Sequence, residues 1–432
     1  MRDSNANPLI INQDNDNLII HPYAEGLSFP TSMVFVDNNT IMVLEKDKGT
    51  VRLISNGILQ KEPILRVDID NKAERGLLGI AISKKETNTN NITLNEIHKH
   101  NSALIDFESS PINSEHFIYL YFTEKIKNVP DNNNYTIRNR IYEYSWNGQS
   151  LSNSKLIMDL PAELGPYHNG GKLKIGPDNL LYAVIGDLVT INNTLQNHLD
   201  ENNRITIPNN SSVIIRINPS NGSFPIDNPF YKYYYTDNNL KALSYYYAYG
   251  IRNSFGFDFD PITTKLWDTE NGEKHYDEIN LVEPGFNSGW YKIMGPIARN
   301  NDSTISDLVM INGSYYSDPI FSWFSPIGIT DLEFLESPKL GKKYENNIFV
   351  GDINNGNLYF FEVNATRSGI DINNFSYNEN KLIFDQIADT MTESDGFIFA
   401  KGFKGRITDI ETGPDGYLYI LTYFDGRIFR IS

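Results

Sequence analysis

Six times along its 432 residues the chain repeats one pattern. An apolar strand meets an Asp-Asn, Pro-Asp or Pro-Asp-Gly turn, a second strand rich in Leu-Tyr follows, and a further turn leads into a third. The last copy runs from Arg406 through Gly413-Pro-Asp-Gly to Asp425-Gly-Arg-Ile-Phe-Arg-Ile. Earlier copies start at Pro30, Gly76, Gly171, Ser254 and Thr330. Long helical periodicity is nearly absent, and β-branched and aromatic runs between turn residues predict strands. Meanders repeated at fixed phase stack radially into a propeller, whose sheet edges are short and protected. The expected fold is therefore all-β, a six-bladed β-propeller with long inter-strand insertions. Two stacked β-sandwiches are the other arrangement, and one turn phase kept in six copies argues against them. Residues 1–25 are expected to add a strand to the propeller and residues 26–432 to form it. Each blade has about 70 residues, more than four strands need, so insertions are expected at 84–114 and 187–212, both polar and Asn-rich.

The charge balance narrows the partners. With 37 Lys+Arg against 54 Asp+Glu the net charge is −17, the wrong sign for tracking nucleic-acid phosphates or an anionic lipid surface. No cysteine is present, so disulfides, thiolate nucleophiles and thiolate metal sites are excluded. The longest apolar run is about six residues, Leu77 to Ile82, against the roughly 20 of a membrane helix. No signal-peptide core is visible at the start of the chain. About eleven N-x-S/T sequons, among them Asn134, Asn221, Asn312 and Asn364, favour an extracytoplasmic location over a cytoplasmic one.

Residues just before the innermost strand of each propeller blade converge at one mouth of the central channel. That phase selects Glu74 and Arg75, His168 and Asn169, Arg252 and Asn253, Gly328 to Thr330, and Arg406. Three arginines, a histidine, an acid and two amides suit an anionic or highly oxygenated ligand. Each alone reads as a salt-bridge or structural polar residue; the convergence makes the site. His168 is the candidate base, and Asn169-Gly170-Gly171 after it lets the backbone approach a ligand. The other six histidines belong to no motif. The carboxylate-rich stretch from Thr269 to Asn280 offers hard oxygen ligands of the kind Ca²⁺ takes, though without EF-hand spacing. Phosphate-binding and serine-hydrolase motifs are absent.

Several segments, in this order, resemble the soluble quinoprotein sugar dehydrogenases of the glucose/sorbosone dehydrogenase family. They are Gly76-Leu-Leu-Gly, Tyr167-His-Asn-Gly-Gly-Lys-Leu, Ile185-Gly-Asp, Tyr249-Gly-Ile-Arg-Asn, Glu270-Asn-Gly, Asp277-Glu-Ile-Asn-Leu, Asn287-Ser-Gly-Trp and Gly413-Pro-Asp-Gly. The resemblance spans about Gly26 to Ser432 and implies a six-bladed propeller holding pyrroloquinoline quinone (PQQ) and Ca²⁺. It implies oxidation of an aldose at its anomeric hydroxyl, with an external electron acceptor. By the same resemblance, His168 is the base and Arg252 polarises the quinone. Glu74, Arg75, Asn253, Asn354, Arg406 and Thr408 stand at cofactor-binding positions. Gly272 and Glu273 would bind the cofactor's Ca²⁺ through their carbonyls, and Glu278 and Ser288 fall at the place of a second Ca²⁺.

The sequence departs from that family's pattern at four points. Asn354 stands for a lysine, Thr408 for the second arginine of an R-x-R pair, Glu74 for a glutamine, and Tyr167 for an acid beside the base. Two lost cations and one added acid weaken a site for a tricarboxylate, unless Arg75 or Lys404 compensates. A second reading therefore stays open: a non-catalytic propeller that binds a glycan or a protein, as in the related propeller of Hedgehog-interacting protein. A hydrolase built on Glu74 is a third.

Overall fold

A computed structural model describes residues 9–11, 18–85, 115–127, 135–163, 165–190, 193–372 and 385–432. The expected insertion at 84–114 lies, from 86 on, outside the described residues.

The strands form six sheets, each one blade of the propeller. The innermost strands are Pro30–Asp37, Leu77–Lys85, Leu173–Ile175, Gly256–Phe259, Ile329–Phe334 and Ile407–Thr412. The last of these packs against the first, which closes the ring. Most blades borrow an edge strand. Phe286–Asn287 lies parallel on the third blade and Ile387–Ala388 parallel on the fourth. Ile10–Ile11 pairs antiparallel with Ile398–Lys401 in the fifth, and Ile20–Glu25 with Arg427–Ile431 in the sixth. Borrowed strands lock neighbours together and cover backbone edges that would otherwise recruit other chains.

Both faces of a blade are covered by the next blades, so its middle strands read as near-continuous apolar runs rather than alternating ones. Leu181–Ile185 and Val213–Ile217 are buried throughout. Six apolar clusters fill the six interfaces between neighbouring blades. The repeated Gly-Pro-Asp turn has a specific job. Asp178 accepts from the Leu180 N–H, the Tyr182 hydroxyl (2.9 Å) and Arg216 Nε (2.9 Å). Asp415 repeats this with the Tyr417 N–H, the Tyr419 hydroxyl and Arg430. The aspartate closes the turn onto the N–H two residues on, and the tyrosine and arginine tie the next two strands to it.

The interface between the fourth and fifth blades is the most aromatic. Trp323 is 1% exposed, packs against Phe321 at 4.8 Å and Tyr359 at 5.5 Å, and donates Nε1–H to Ser394 Oγ at 3.0 Å. Trp323→Ala should lower the free energy of urea unfolding by about 3–5 kcal/mol. A loss below about 1 kcal/mol would mean that this interface does not hold the ring together.

Candidate active site

The site is assembled where the loops entering the innermost strands meet. His168 has φ +59°, a left-handed backbone that is rare for histidine and typical of residues held in place by their surroundings. Its N–H donates to Glu74 Oε2 at 2.6 Å, and its Nδ1 lies 2.5 Å from Asp187 Oδ1. Asp187 is 2% exposed and fixed on three sides. Its carboxylate accepts from the Val189 N–H (2.7 Å) and from Trp290 Nε1 (2.8 Å), and its own N–H donates to the Arg252 carbonyl (2.9 Å). An ionised carboxylate only accepts, so it selects the tautomer with the proton on Nδ1 and leaves Nε2 as a proton acceptor. Gly186 makes this approach possible: a Cβ there would stand 2.5 Å from the Arg252 carbonyl and 2.6 Å from that of His168.

Arg252 lies across the indole of Trp290, 5.3 Å from the ring centre. Its N–H donates to Glu270 Oε1 (2.6 Å), and one guanidinium nitrogen donates to the Asn271 carbonyl (2.9 Å). Its Nε, Asn253 Oδ1 and Asn271 Oδ1 are buried without a protein partner. Buried polar atoms without a protein partner are where water or a ligand supplies the missing hydrogen bonds. Burial pushes the Glu74 carboxyl above its ordinary range, while the charges of His168 and Arg252 and the Asn253 side chain oppose that. Burial also raises Glu270, whose Oε2 accepts from Ser288 Oγ at 2.5 Å.

Beside this group opens a cavity of about 280 Å³. Glu74, Lys46, Lys172, Thr408 and Asp409 supply polar wall, and Phe255, Tyr423 and Phe424 form an aromatic rim. Thr408 Oγ1 also donates to the Pro30 carbonyl. Arg406, at φ +62°, donates to the Ile353 carbonyl at 3.0 Å and sits over Phe424. Asn354 is exposed, with its amide over Gly328.

Other expected residues lie elsewhere. Arg75 is buried, its guanidinium donating to the Ala162 carbonyl at 2.6 Å and standing 3.5 Å from Asp70, so it does not replace a missing cofactor cation. Lys46 is likewise spent, on Asp47 and on the Ala73 and Arg75 carbonyls. Asn169, expected at the mouth, is fully buried and receives a hydrogen bond from Asn139. Tyr167 is half exposed. Gly272 and Glu273 form a turn that Asp277 anchors by accepting the Gly272 N–H at 3.0 Å. Glu278 faces Glu270 across the strand ladder and accepts the Gly295 N–H. Ser288 is committed to Glu270. Among the described residues no group of three or more His, Asp or Glu side chains is placed to hold a metal ion.

Sequence reasoning missed Asp187, Trp290 and Glu270 as parts of this site. Each falls in one of the motifs Ile185-Gly-Asp, Asn287-Ser-Gly-Trp and Glu270-Asn-Gly. Asp187 was expected to begin the polar insertion at 187–212, yet Asn193, Thr194 and Gln196 of that segment are buried, and Gln196 donates to the Asp187 carbonyl.

Residues 27–430 match the Glucose / Sorbosone dehydrogenase family, and the chain belongs to it. Similar curated proteins include the aldose sugar dehydrogenase YliI of Escherichia coli, 26% identical over 61% of this chain and 60% of that one. Another is quinoprotein glucose dehydrogenase B of Acinetobacter calcoaceticus, 27% identical over 62% of this chain and 52% of that one. The sequence alignments thus cover little more than half of either relative. Among solved structures, the apo form of the E. coli aldose sugar dehydrogenase superposes with a TM-score of 0.64 at 19% identity, covering 96% of this chain and 99% of that one. The PQQ-bound aldose sugar dehydrogenase of Streptomyces coelicolor does so with 0.62 at 19%, covering 96% and 98%. These confirm the propeller, and the family supports an oxidoreductase of the sugar dehydrogenase type.

Proposed function

We propose that this protein oxidises the anomeric hydroxyl of an aldose to the lactone with PQQ and Ca²⁺, and passes the electrons to an external acceptor. The observation that carries the reading is the His168–Asp187 pair, joined through the His168 N–H to Glu74, which lines the cavity together with aromatic rings. PQQ would supply a two-electron hydride acceptor. Arg252 and Arg406 are the cations available to it, and the open Arg252 Nε and Asn253 Oδ1 are of the right chemistry for its polar edge. The carbonyls of Gly272 and Glu273 are the candidate Ca²⁺ ligands of the turn that follows Asn271, with Glu278 and Ser288 candidates for a second ion.

The residues divide the work. His168 removes the hydroxyl proton as the C1 hydride departs. Asp187 keeps the ring in the accepting tautomer and stabilises the imidazolium. Arg252 places positive charge where the hydride acceptor gains negative charge. The aromatic rim excludes water and stacks on a flat ring or a sugar face. The related dehydrogenases and the sequons support work outside the cytoplasm; among the described residues no helix is long and apolar enough to cross a membrane. Glu74, Asn354 and Thr408 favour one other reading, a propeller that binds a glycan or protein and does no redox chemistry.

The test is dye reduction by apo-protein reconstituted with PQQ and Ca²⁺ and given a panel of aldoses. Aldose-dependent bleaching that needs PQQ is the expected result. A protein that neither binds PQQ nor reduces the dye would point to the binding propeller.

A further inference from the structure

We propose that the propeller axis is a proton reservoir, which takes up the proton released in the pocket and exchanges it with solvent at the opposite face. The source of that proton is the oxidation proposed above, so the inference rests on that reading.

Alternate residues of the innermost strands point charge into the axis. Lys172 Nζ lies 2.7 Å from Asp331 and 2.9 Å from Asp409. One step along, Lys174 pairs with Asp258 and, at 3.1 Å, with Glu333. Glu411 interacts with both lysines and with Glu333 and Asp409. The column connects two openings. Thr330 and Thr408, at the starts of their strands, line the active-site cavity with Lys172 and Asp409. Glu333 and Thr412, near the ends of the same strands, line a second cleft with Glu336 and Lys339. Three to four residue steps of strand separate the ends, roughly 10–13 Å.

Five carboxylates share this column with two ammonium groups; Lys172, Asp258, Asp331, Glu333 and Asp409 are buried and Lys174 and Glu411 partly so, and burial opposes the uncompensated negative charge. Burial raises Asp331, with Asp409 adding to it against Lys172. Burial lifts Asp258 to about 6 against Lys174, with Glu333 adding. Burial and Glu333 raise Glu411. The other charged groups facing the column are Lys46 and Glu74 at the cavity and Glu336 and Lys339 at the cleft. The first blade adds the Met33 N–H on Asp409, and residues 77–83 of the second carry no charge. The column therefore holds exchangeable protons near neutral pH, and coupled sites titrate as one unit.

The step balances as follows. The C1–H bond breaks and its electron pair leaves as hydride to an ortho-quinone. The O–H bond breaks, its proton goes to His168 Nε2, and the remaining pair forms the lactone carbonyl. His168 regains neutrality when a proton joins Asp331, beside Lys172, as a carboxylic acid, and another leaves from Glu411 to solvent.

Two measurements decide it. Infrared titration of the apo-protein should show protonated carboxyl absorption at neutral pH that Asp331→Asn and Glu411→Gln each reduce. In the PQQ- and Ca²⁺-loaded enzyme, a pH-indicator dye should report proton release slowed about 10-fold by Glu411→Gln, with quinone bleaching by the aldose unchanged. Glu333→Gln, at the solvent end, is the second variant should the first not fold. Absence of protonated carboxyl at neutral pH overturns the reservoir whatever the enzyme does. Unchanged proton release in active variants overturns the axial role alone. A chain that does not bind PQQ overturns the oxidation, and with it the proton's source.

Discussion

His168→Ala lowers kcat for PQQ-dependent aldose oxidation by about 10²–10⁴-fold, the contribution expected of a positioned general base. The cofactor Kd should stay within a few-fold, because in the proposed reaction His168 acts on the hydroxyl to be oxidised and the arginines hold the cofactor. Asp187→Asn tests the second half of the pair. An amide can donate where the carboxylate only accepts, so it permits the wrong imidazole tautomer, and kcat should fall by roughly 10²-fold or more. Asp187 is a positioning residue: KM should change little, and Asp187→Glu should restore part of the rate. Steady-state kinetics on the three variants settles this. A His168→Ala enzyme with full kcat sinks the assignment of the base; loss of folding in Asp187→Asn, seen by melting, would make Asp187 a structural residue only.

The second large effect is on stability. Lys172→Met removes the cation that Asp331 and Asp409 share, and breaking a buried pair costs about 3–5 kcal/mol. The size depends on pH, with a definite sign. Asp258, Asp331 and Glu411 titrate higher in the folded chain than in the unfolded one, so they bind more protons folded. Their contribution is present in full below the unfolded carboxylate range and is lost as pH rises through their folded values, Asp258 near 6 and Asp331 above it. Losing Lys172 pushes these carboxyls higher still. The gap between the native chain and Lys172→Met is therefore narrowest near pH 5 and widest near pH 8. Urea unfolding at both values tests it; a gap that shrinks with rising pH would contradict the shared-proton account.

The repeat made the ring of blades legible, because turn phase and apolar runs are local signals. It also made Glu74, His168, Arg252, Asn253 and Arg406 legible, since they occupy one phase of that repeat. The phase could not say which of two adjacent residues faces the pocket. Glu74 does, while Arg75 turns to Asp70 and the Ala162 carbonyl. Asp187 was hidden for another reason: its partners His168, Trp290 and Arg252 come from three loops that only the closed ring brings together. The axial column did leave a trace, a period of two at Lys172 and Lys174, Asp331 and Glu333, and Asp409 and Glu411. Charged residues alternating on a strand usually mark a solvated face. Here the alternate face is the narrow axis, and only the geometry shows that Lys172 and Asp331 are buried together.

The central claim is that this cavity is a quinone site although, by the resemblance, Glu74, Asn354 and Thr408 replace an amide and two cations. It is tested most directly by titrating the apo-protein with PQQ in the presence of Ca²⁺, by calorimetry and by melting. The account predicts one saturable site per chain. At about 100 times Kd the ligand should stabilise the fold by about 2.7 kcal/mol, a rise of several degrees in Tm. Arg252→Ala should weaken binding. No heat of binding and no shift in Tm, with Ca²⁺ present and the chain folded, would contradict the account and leave a propeller whose mouth binds something other than a quinone.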